Sequence, residues 1–119
     1  MPPAALRSVE RLRKRSDFLA LNRARRKATP SMLVQGRARG DGYALIRVGF
    51  TCSKKLGNAV TRNRAKRRLR AAARLLLPEH GRPGWDYALI GRPGASATLP
   101  FEVLLDDLAS ALRHLHEQQ

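Results

Sequence analysis

Residues 53–70 have the sequence SKKLGNAVTRNRAKRRLR, and the rest of the chain is organised around this segment. The pattern predicts the end of a strand, a sharp turn that Gly57 permits, and then a helix. One face of that helix is an apolar stripe, composed of Ala65, Leu69, Ala72, Ala73 and Leu76. Cations cover most of the remaining surface, where like charges at i,i+3 and i,i+4 repel by roughly 0.2–0.5 kcal/mol per pair. The segment therefore predicts a helix that buries one face and presents the others to a polyanion.

The composition indicates the same kind of partner. Lys and Arg number 24 against 9 acidic residues in 119, a formal net charge of +15. A charge that large draws a small domain to polyanions, so nucleic acid is the expected partner and an anionic membrane surface the weaker alternative. No apolar region follows the basic amino terminus, and the longest apolar runs are too short to span a bilayer. The single cysteine, Cys52, is expected to be a small core residue, and a cytoplasmic protein is predicted.

Hydrophobic periodicity predicts one α+β domain over residues 1–119, with the element order α-β-β-α-β-α and helices packed on a mixed sheet. The expected helices span about 17–26, 60–77 and 101–115, and the expected strands span 31–37, 43–52 and 87–90. Ser16 is the expected cap of the first helix, and Pro78 is the expected end of the second. Residues 1–15 are expected to form a loosely ordered basic amino terminus.

The acidic and histidine residues predict no catalytic or metal site in the protein itself. Asp106 and Asp107 are neighbours on a helix, so their side chains point about 100° apart and do not converge on one ion. His114 and His116 have the same difficulty, and His80 stands alone in a predicted loop. Neither a zinc-binding Cys/His spacing nor a glycine-rich phosphate loop is present in the sequence. An autonomous protein nuclease is therefore disfavoured.

The motifs along nearly the whole chain resemble those of the bacterial ribonuclease P protein subunit. The resemblance is carried by Lys54 to Val60, Arg62-Asn63-Arg64, Lys66-Arg67 and Arg70, by Arg11 to Lys14 with Asp17-Phe18, by Arg47 to Phe50, and by Asp86-Tyr87 with Arg92-Pro93. It implies a left-handed βαβ crossover, although the general rule for parallel crossovers is right-handed. It also implies a subunit of an endoribonuclease that binds the catalytic RNA and the 5′ leader of precursor tRNA. That RNA would perform the Mg²⁺-dependent cleavage and hold most of the Mg²⁺.

The resemblance also implies which residues contact RNA. The RNA-binding set is Lys54, Lys55, Asn58, Arg62, Asn63, Arg64, Lys66, Arg67, Arg68 and Arg70. The leader-binding cleft is expected to contain Phe18, Arg62, Asn63, Lys66 and Arg70. Asn22 and Gln35 stand where relatives often have aromatics, so leader binding should depend less on stacking and more on charge. No protein partner is evident, and composition alone would also fit a non-catalytic RNA-binding module such as a ribosomal protein or RNA chaperone.

Overall fold

A mixed sheet forms the centre of the computed structural model, which describes residues 9–53, 57–92 and 94–117. The strands are β1 (Val9–Arg11), β2 (Arg25–Ala28), β3 (Met32–Ala38), β4 (Ile46–Cys52) and β5 (Trp85–Gly91). The helices are α1 (Arg15–Leu21), α2 (Ala59–His80), α3 (Ala95–Thr98) and α4 (Phe101–Glu117). Within these residues the sheet has five strands in the order β1-β4-β5-β3-β2. The predicted α+β class is confirmed.

Strand direction reverses twice across the sheet, at the β5/β3 and β3/β2 pairs. β1, β4 and β5 are parallel, whereas β5, β3 and β2 are successively antiparallel. Helix α2 joins the parallel neighbours β4 and β5, so it forms the expected βαβ crossover. The left-handedness of that crossover stays a prediction from the resemblance.

The two faces of the sheet carry different helices, because successive side chains of a strand point to opposite sides. On β5, Tyr87 and Leu89 belong to the main core with α2 and α4, whereas Ala88 belongs to a smaller cluster with Leu21 of α1. Of the stripe predicted on α2, Leu69, Ala72 and Ala73 are buried in the main core and Leu76 packs against it half-buried, whereas Ala65 forms a small cluster with Ala97. Helix α1 thus lies on one face of the sheet, and α2 lies on the other.

The first helix is shorter than predicted. It ends at Leu21, and Arg25–Ala28 forms β2, paired antiparallel with β3. Residues 22–28 have cations at four of seven positions and no large apolar side chain, so a helix there would have little to bury. An edge strand instead satisfies their backbone through β3. Ser16 lies inside α1 rather than capping it, since Lys14 is the N-cap and makes no side-chain capping bond.

The prediction that Pro78 ends the second helix is wrong, because Pro78 lies inside that helix. A proline so close to the carboxyl end disturbs only the final turn, and the helix continues to His80. The backbone N–H of Gly81 then donates to the Leu77 carbonyl at 2.9 Å.

Two further boundaries, those of β1 and β4, differ from the predictions. Val9–Arg11 forms a strand within the segment expected to be loose, because it pairs in parallel with β4. Residues 1–8 lie outside the described part of the chain. Strand β4 begins at Ile46 rather than 43, because the Arg39 guanidinium takes the carbonyls of Tyr43 (3.2 Å) and Leu45 (2.6 Å).

Candidate nucleic-acid interface

The start of α2 is shaped by the residues that connect it to β4. Gly57 has a φ of 120°, a conformation that favours glycine, as the sharp turn required. The side-chain oxygen of Asn58 accepts from the Thr61 N–H at 2.9 Å and so caps the helix. Arg62 donates back to the Gly57 carbonyl at 2.8 Å. Asn58 therefore has a structural role in addition to the predicted RNA contact. Lys54 and Lys55 lie outside the described residues.

Two arginines of α2 hold the short helix α3 in place. Arg64 Nε donates to the Ala97 carbonyl at 3.0 Å. Arg68 donates to the carbonyls of Ser96, at 2.9 Å, and of Leu99. Burial lowers the pKa of Arg68, with a smaller contribution from the charge of Arg64. The sequence predicted RNA contacts for both arginines but missed these bonds, because α3 gives no periodic signal.

The outer surface of α2 carries several cations around an open groove. Asn63 and Arg67 are exposed, and together with Val60, Arg64 and Arg68 they line an open groove of about 630 Å³. Neighbouring exposed cations attract a polyanion together, so they raise the local concentration of phosphate. This surface is the outer groove, and it is suited to RNA phosphates.

A second group of predicted residues lies beside the end of β4. Burial raises the pKa of the Cys52 thiol, while the nearby charges of Lys66 and Arg62 lower it by less. Cys52 is thus a half-buried, protonated thiol packed against the core, in agreement with its predicted role. The guanidinium carbon of Arg70 lies 5.8 Å from the centre of the Phe50 ring, a cation–π distance.

Phe18 packs against the opposite face of β4. A Cβ built on Gly49 would lie 2.3 Å from two carbons of the Phe18 ring, so the ring rests directly on the glycine backbone. Beside it, a groove of about 240 Å³ separates α1 from the sheet. The lining of this α1 groove includes Arg15, Phe18, Asn22, Gln35, Thr51 and Ala88. Both positions where the sequence lacks an expected aromatic, Asn22 and Gln35, therefore face this groove.

An ion-pair network joins α1 to the sheet next to the α1 groove. Arg47 donates to Asp17 of α1 at 3.2 Å and, through two nitrogens, to the fully buried Asp86 at 2.7 and 2.8 Å. The hydrogen bond to Asp86 is the main reason that the pKa of Arg47 is raised. Asp86 also accepts from Arg39 at 2.9 Å. These arginines are committed to the fold, which sequence reasoning did not detect because their partners are 30 to 47 residues away.

The predicted leader-binding residues therefore do not line a single groove. Phe18 lies on the α1 side of β4, whereas Arg70 lies on the α2 side, over Phe50. The two sides meet at the carboxyl end of β4, since Thr51 lines the α1 groove and the adjacent Cys52 packs against the cluster of Ala65, on α2, and Ala97. A strand of RNA leaving the α1 groove at this end would meet the first turns of α2.

The carboxylates and histidines are used elsewhere in the structure. Asp107 accepts from the Ser31 N–H at 3.0 Å and ties α4 to β3, whereas Asp106 is exposed. The Nε2 atom of His116 lies 2.8 Å from the hydroxyl of Tyr87. Among residues 9–53, 57–92 and 94–117, no three His, Cys, Asp or Glu side chains group so that they could hold a metal ion. None of the helices in these ranges combines the length and apolarity needed to cross a membrane.

A mixed sheet with a cationic helix on one face and a narrow groove on the other is an arrangement suited to binding RNA. The ribonuclease P family model matches residues 6–116, and the chain belongs to that family, as its motifs predicted. This membership favours the predicted family over a ribosomal protein or RNA chaperone.

Individual relatives agree with the family assignment. The ribonuclease P protein component of Ruegeria pomeroyi is 65% identical to this chain over 98% of it and 97% of the relative. That of Caulobacter vibrioides is 52% identical over 87% of this chain and 68% of the relative. The RNase P protein from Thermotoga maritima has a similar structure, with a TM-score of 0.70 at 28% identity over 90% of this chain and 96% of that one.

Proposed function

We propose that this chain is the protein subunit of a ribonuclease P holoenzyme, in which the RNA subunit performs the endonucleolytic hydrolysis and the protein holds the substrate. The observation that carries this proposal is the meeting of the α1 groove with the cationic start of α2 at the carboxyl end of β4. Single-stranded RNA is bound by such a combination of an aromatic surface and a positively charged path. The 5′ leader of precursor tRNA is the single strand that this enzyme family must accommodate, and the cytoplasm is where we expect it to act.

The leader would enter along the α1 groove. Phe18 would offer an aromatic face for stacking, and Asn22 and Gln35 offer amide donors and acceptors in place of further rings. Beyond Thr51 the strand would reach Lys66 and Arg62, whose charges would contact its phosphates. Binding should therefore depend on charge and hydrogen bonds more than on stacking, as the sequence predicted.

The RNA subunit would contact the outer groove of α2. Asn63 and Arg67 are exposed there, and Arg64 and Arg68 stay positively charged while they hold α3, since their acceptors are carbonyls. Contacts of this kind position RNA through phosphates and carry little sequence information. The outer groove and the leader path lie on different surfaces of α2, so both RNAs could be bound at once.

Mg²⁺ would be held mainly by RNA phosphates in this proposal. Three carboxylates of the protein have other partners, since Asp17 and Asp86 pair with arginines and Asp107 binds the Ser31 backbone. The cations of the protein would screen the repulsion between the two RNA molecules. When bound, Mg²⁺ supplies the charge stabilisation and the activated water that phosphodiester hydrolysis requires.

The proposal is tested by replacing Phe18 with Leu, which keeps apolar bulk but removes the aromatic face. Loss of base stacking should weaken binding of precursor tRNA to the holoenzyme by about 1–3 kcal/mol, with little effect on mature tRNA. The matched control is Arg67→Ala, which should weaken binding of the RNA subunit without distinguishing the two tRNAs. Melting temperature is measured alongside, because Phe18 also anchors α1. A folded Phe18→Leu protein that keeps the full preference for precursor tRNA would refute leader binding in the α1 groove.

A further inference from the structure

A second groove lies on the opposite face of the sheet from the α1 groove, between the edge strand β1 and helix α2. Its volume is about 340 Å³, within the range of roughly 300–1,000 Å³ typical of small-molecule sites. The apolar part of its lining is Val9, Val48, Phe50, Ala73 and Pro78. The β1 groove, as we name it, shares no lining residue with the α1 groove.

The β1 groove contains a flat surface that a planar ligand could cover. Arg70 lies over the Phe50 ring at 5.8 Å, and both residues line the groove. The Nε atom of Arg70 is buried and makes no hydrogen bond to the described part of the chain. Guanidinium planes and aromatic rings are the two side-chain surfaces on which unpaired bases stack. The lining thus fits a nucleobase better than an aliphatic ligand.

The rim of the groove favours an anion beside that planar group. Arg11 and Arg74 are exposed lining residues on its two sides, and Arg70 adds a third positive charge. Glu10 is the only acidic residue among the described lining residues. An excess of positive charge beside an apolar surface is complementary to a nucleotide, which joins an aromatic base to a phosphate. A neutral aromatic molecule would leave this charge without a partner.

We propose that the β1 groove binds one unpaired nucleotide of the RNA partner, with its base against Phe50 and Arg70 and its phosphate at Arg11 or Arg74. Glu10 would accept a hydrogen bond from a base amino group or a ribose hydroxyl. The inference rests on the proposed function in taking RNA as the partner. It adds an RNA contact on a surface that the leader does not use, at the far end of α2 from the Asn58 cap.

The test is a methyl-detected NMR titration of the full chain with three probes. These are tetrauridylate, a ribose–phosphate strand of equal length without bases, and inorganic phosphate. Tetrauridylate should shift the methyl signals of Val9, Val48 and Ala73, whereas the strand without bases and phosphate should not. Equal shifts with all three probes would mean an adventitious anion only and would overturn the proposal. Contacts from residues 1–8 to the Val48 methyls that RNA does not displace would overturn it as well.

Two variants make the result quantitative. Phe50→Leu should weaken tetrauridylate binding by about tenfold, within the range known for loss of one base-stacking surface, and should leave binding of the strand without bases unchanged. Arg74 lies at the exposed rim, so Arg74→Gln keeps the test valid if Phe50→Leu proves unstable. Arg74→Gln should also reduce the shifts of the groove methyls. Arg67→Gln, on the outer groove, is the matched control and should lower overall affinity without changing the dependence on bases.

The outcome is separable from that of the proposed function. If Phe18→Leu loses preference for precursor tRNA while the β1 groove methyls do not respond to tetrauridylate, the proposed function stands and this inference fails. If the groove methyls respond as expected but Phe18→Leu keeps the full preference, the leader-binding assignment fails and the nucleotide site stands.

Discussion

Replacing Gly49 with Ala should disturb the α1 groove more than so small a change would suggest. The added Cβ would lie 2.3 Å from Cε1 and Cζ of Phe18, whereas ordinary contacts of this kind are 3.4–4 Å. The glycine lies in a regular strand, so its backbone is compatible with alanine. The conflict is chiefly with the ring, and a lesser one is with Cδ1 of Leu12 at 3.2 Å. The ring must retreat by about 1 Å or more, and α1 must move with it.

The cost of this change can be bounded from the structure. Overpacking a well-packed site costs typically 1–3 kcal/mol, out of a total stability of about 5–15 kcal/mol for a domain. The ring is only half-buried and α1 is a short helix, which favours the lower half of that range. Thr51→Ala, on the same face of the same strand, is the matched control and should change stability by no more than about 0.5 kcal/mol.

The decisive assay is a double-mutant cycle followed by urea denaturation. Phe18→Leu removes the ring carbons that the new Cβ would meet. The double variant should therefore lose less stability than the two single variants lose together. Contacting residues couple by about 0.5–3 kcal/mol. Additive effects, within about 0.5 kcal/mol, would refute the packing argument. Gly49→Ala alone should also reduce the preference for precursor tRNA, and the double variant should not restore it, because it lacks the aromatic face.

Other perturbations test the ion-pair network, the carboxyl-terminal helix and the cationic surface. Asp86→Ala should destabilise the fold by about 3–5 kcal/mol, because it removes the buried carboxylate that accepts from both Arg39 and Arg47, whereas the exposed Asp41→Ala should barely move the denaturation midpoint. Burial lowers the pKa of His116 from its usual 6.5 to about 4, and the charge of Arg82 makes the next largest contribution. The unfolded chain therefore binds the proton first, so stability is fully present above pH 6.5 and falls as the pH drops toward 4. His116→Gln should remove this part of the fall in melting temperature between pH 7 and 5, and an unchanged fall would contradict the assignment. Arg67→Ala should reduce the slope of log affinity against log salt by about 0.7–0.9, and an unchanged slope would show that Arg67 contacts no phosphate.

The fold could be predicted where one segment carries its own periodic signal. Leu104, Leu108 and Leu115 recur at helical spacing and are all buried in α4. Alternation likewise located β4, and most of the apolar stripe of α2 lies in or against the main core as expected. The strands β1 and β2 escaped prediction, because they are three and four residues long and consist largely of charged residues. Their stability comes from backbone pairing with strands distant in sequence, which no local pattern reports.

The site was predicted as a set of residue types and not as a geometry. The cations of α2 were recognised from their density, yet the sequence could not show that Arg64 and Arg68 bind carbonyls about 30 residues away. It also placed Phe18 and Arg70 in one cleft, whereas β4 separates them. Topology determines which face of a strand is covered by a helix distant in sequence, and the resemblance supplied only the order of the elements.

The structural arginines also explain how so basic a chain keeps its charge while it folds. Arg39 uses all five of its N–H donors, and three of them bind the carbonyls of Tyr43, Leu45 and Trp85. Carbonyl acceptors satisfy a guanidinium without neutralising it, whereas pairing every such arginine with a carboxylate would remove positive charge from the surface. Lysine could not replace Arg39 in this role, because its single ammonium cannot reach acceptors arranged around a planar fork. With 9 acidic residues for 24 cations, the fold satisfies its internal arginines largely through the backbone and retains the positive field that RNA binding requires.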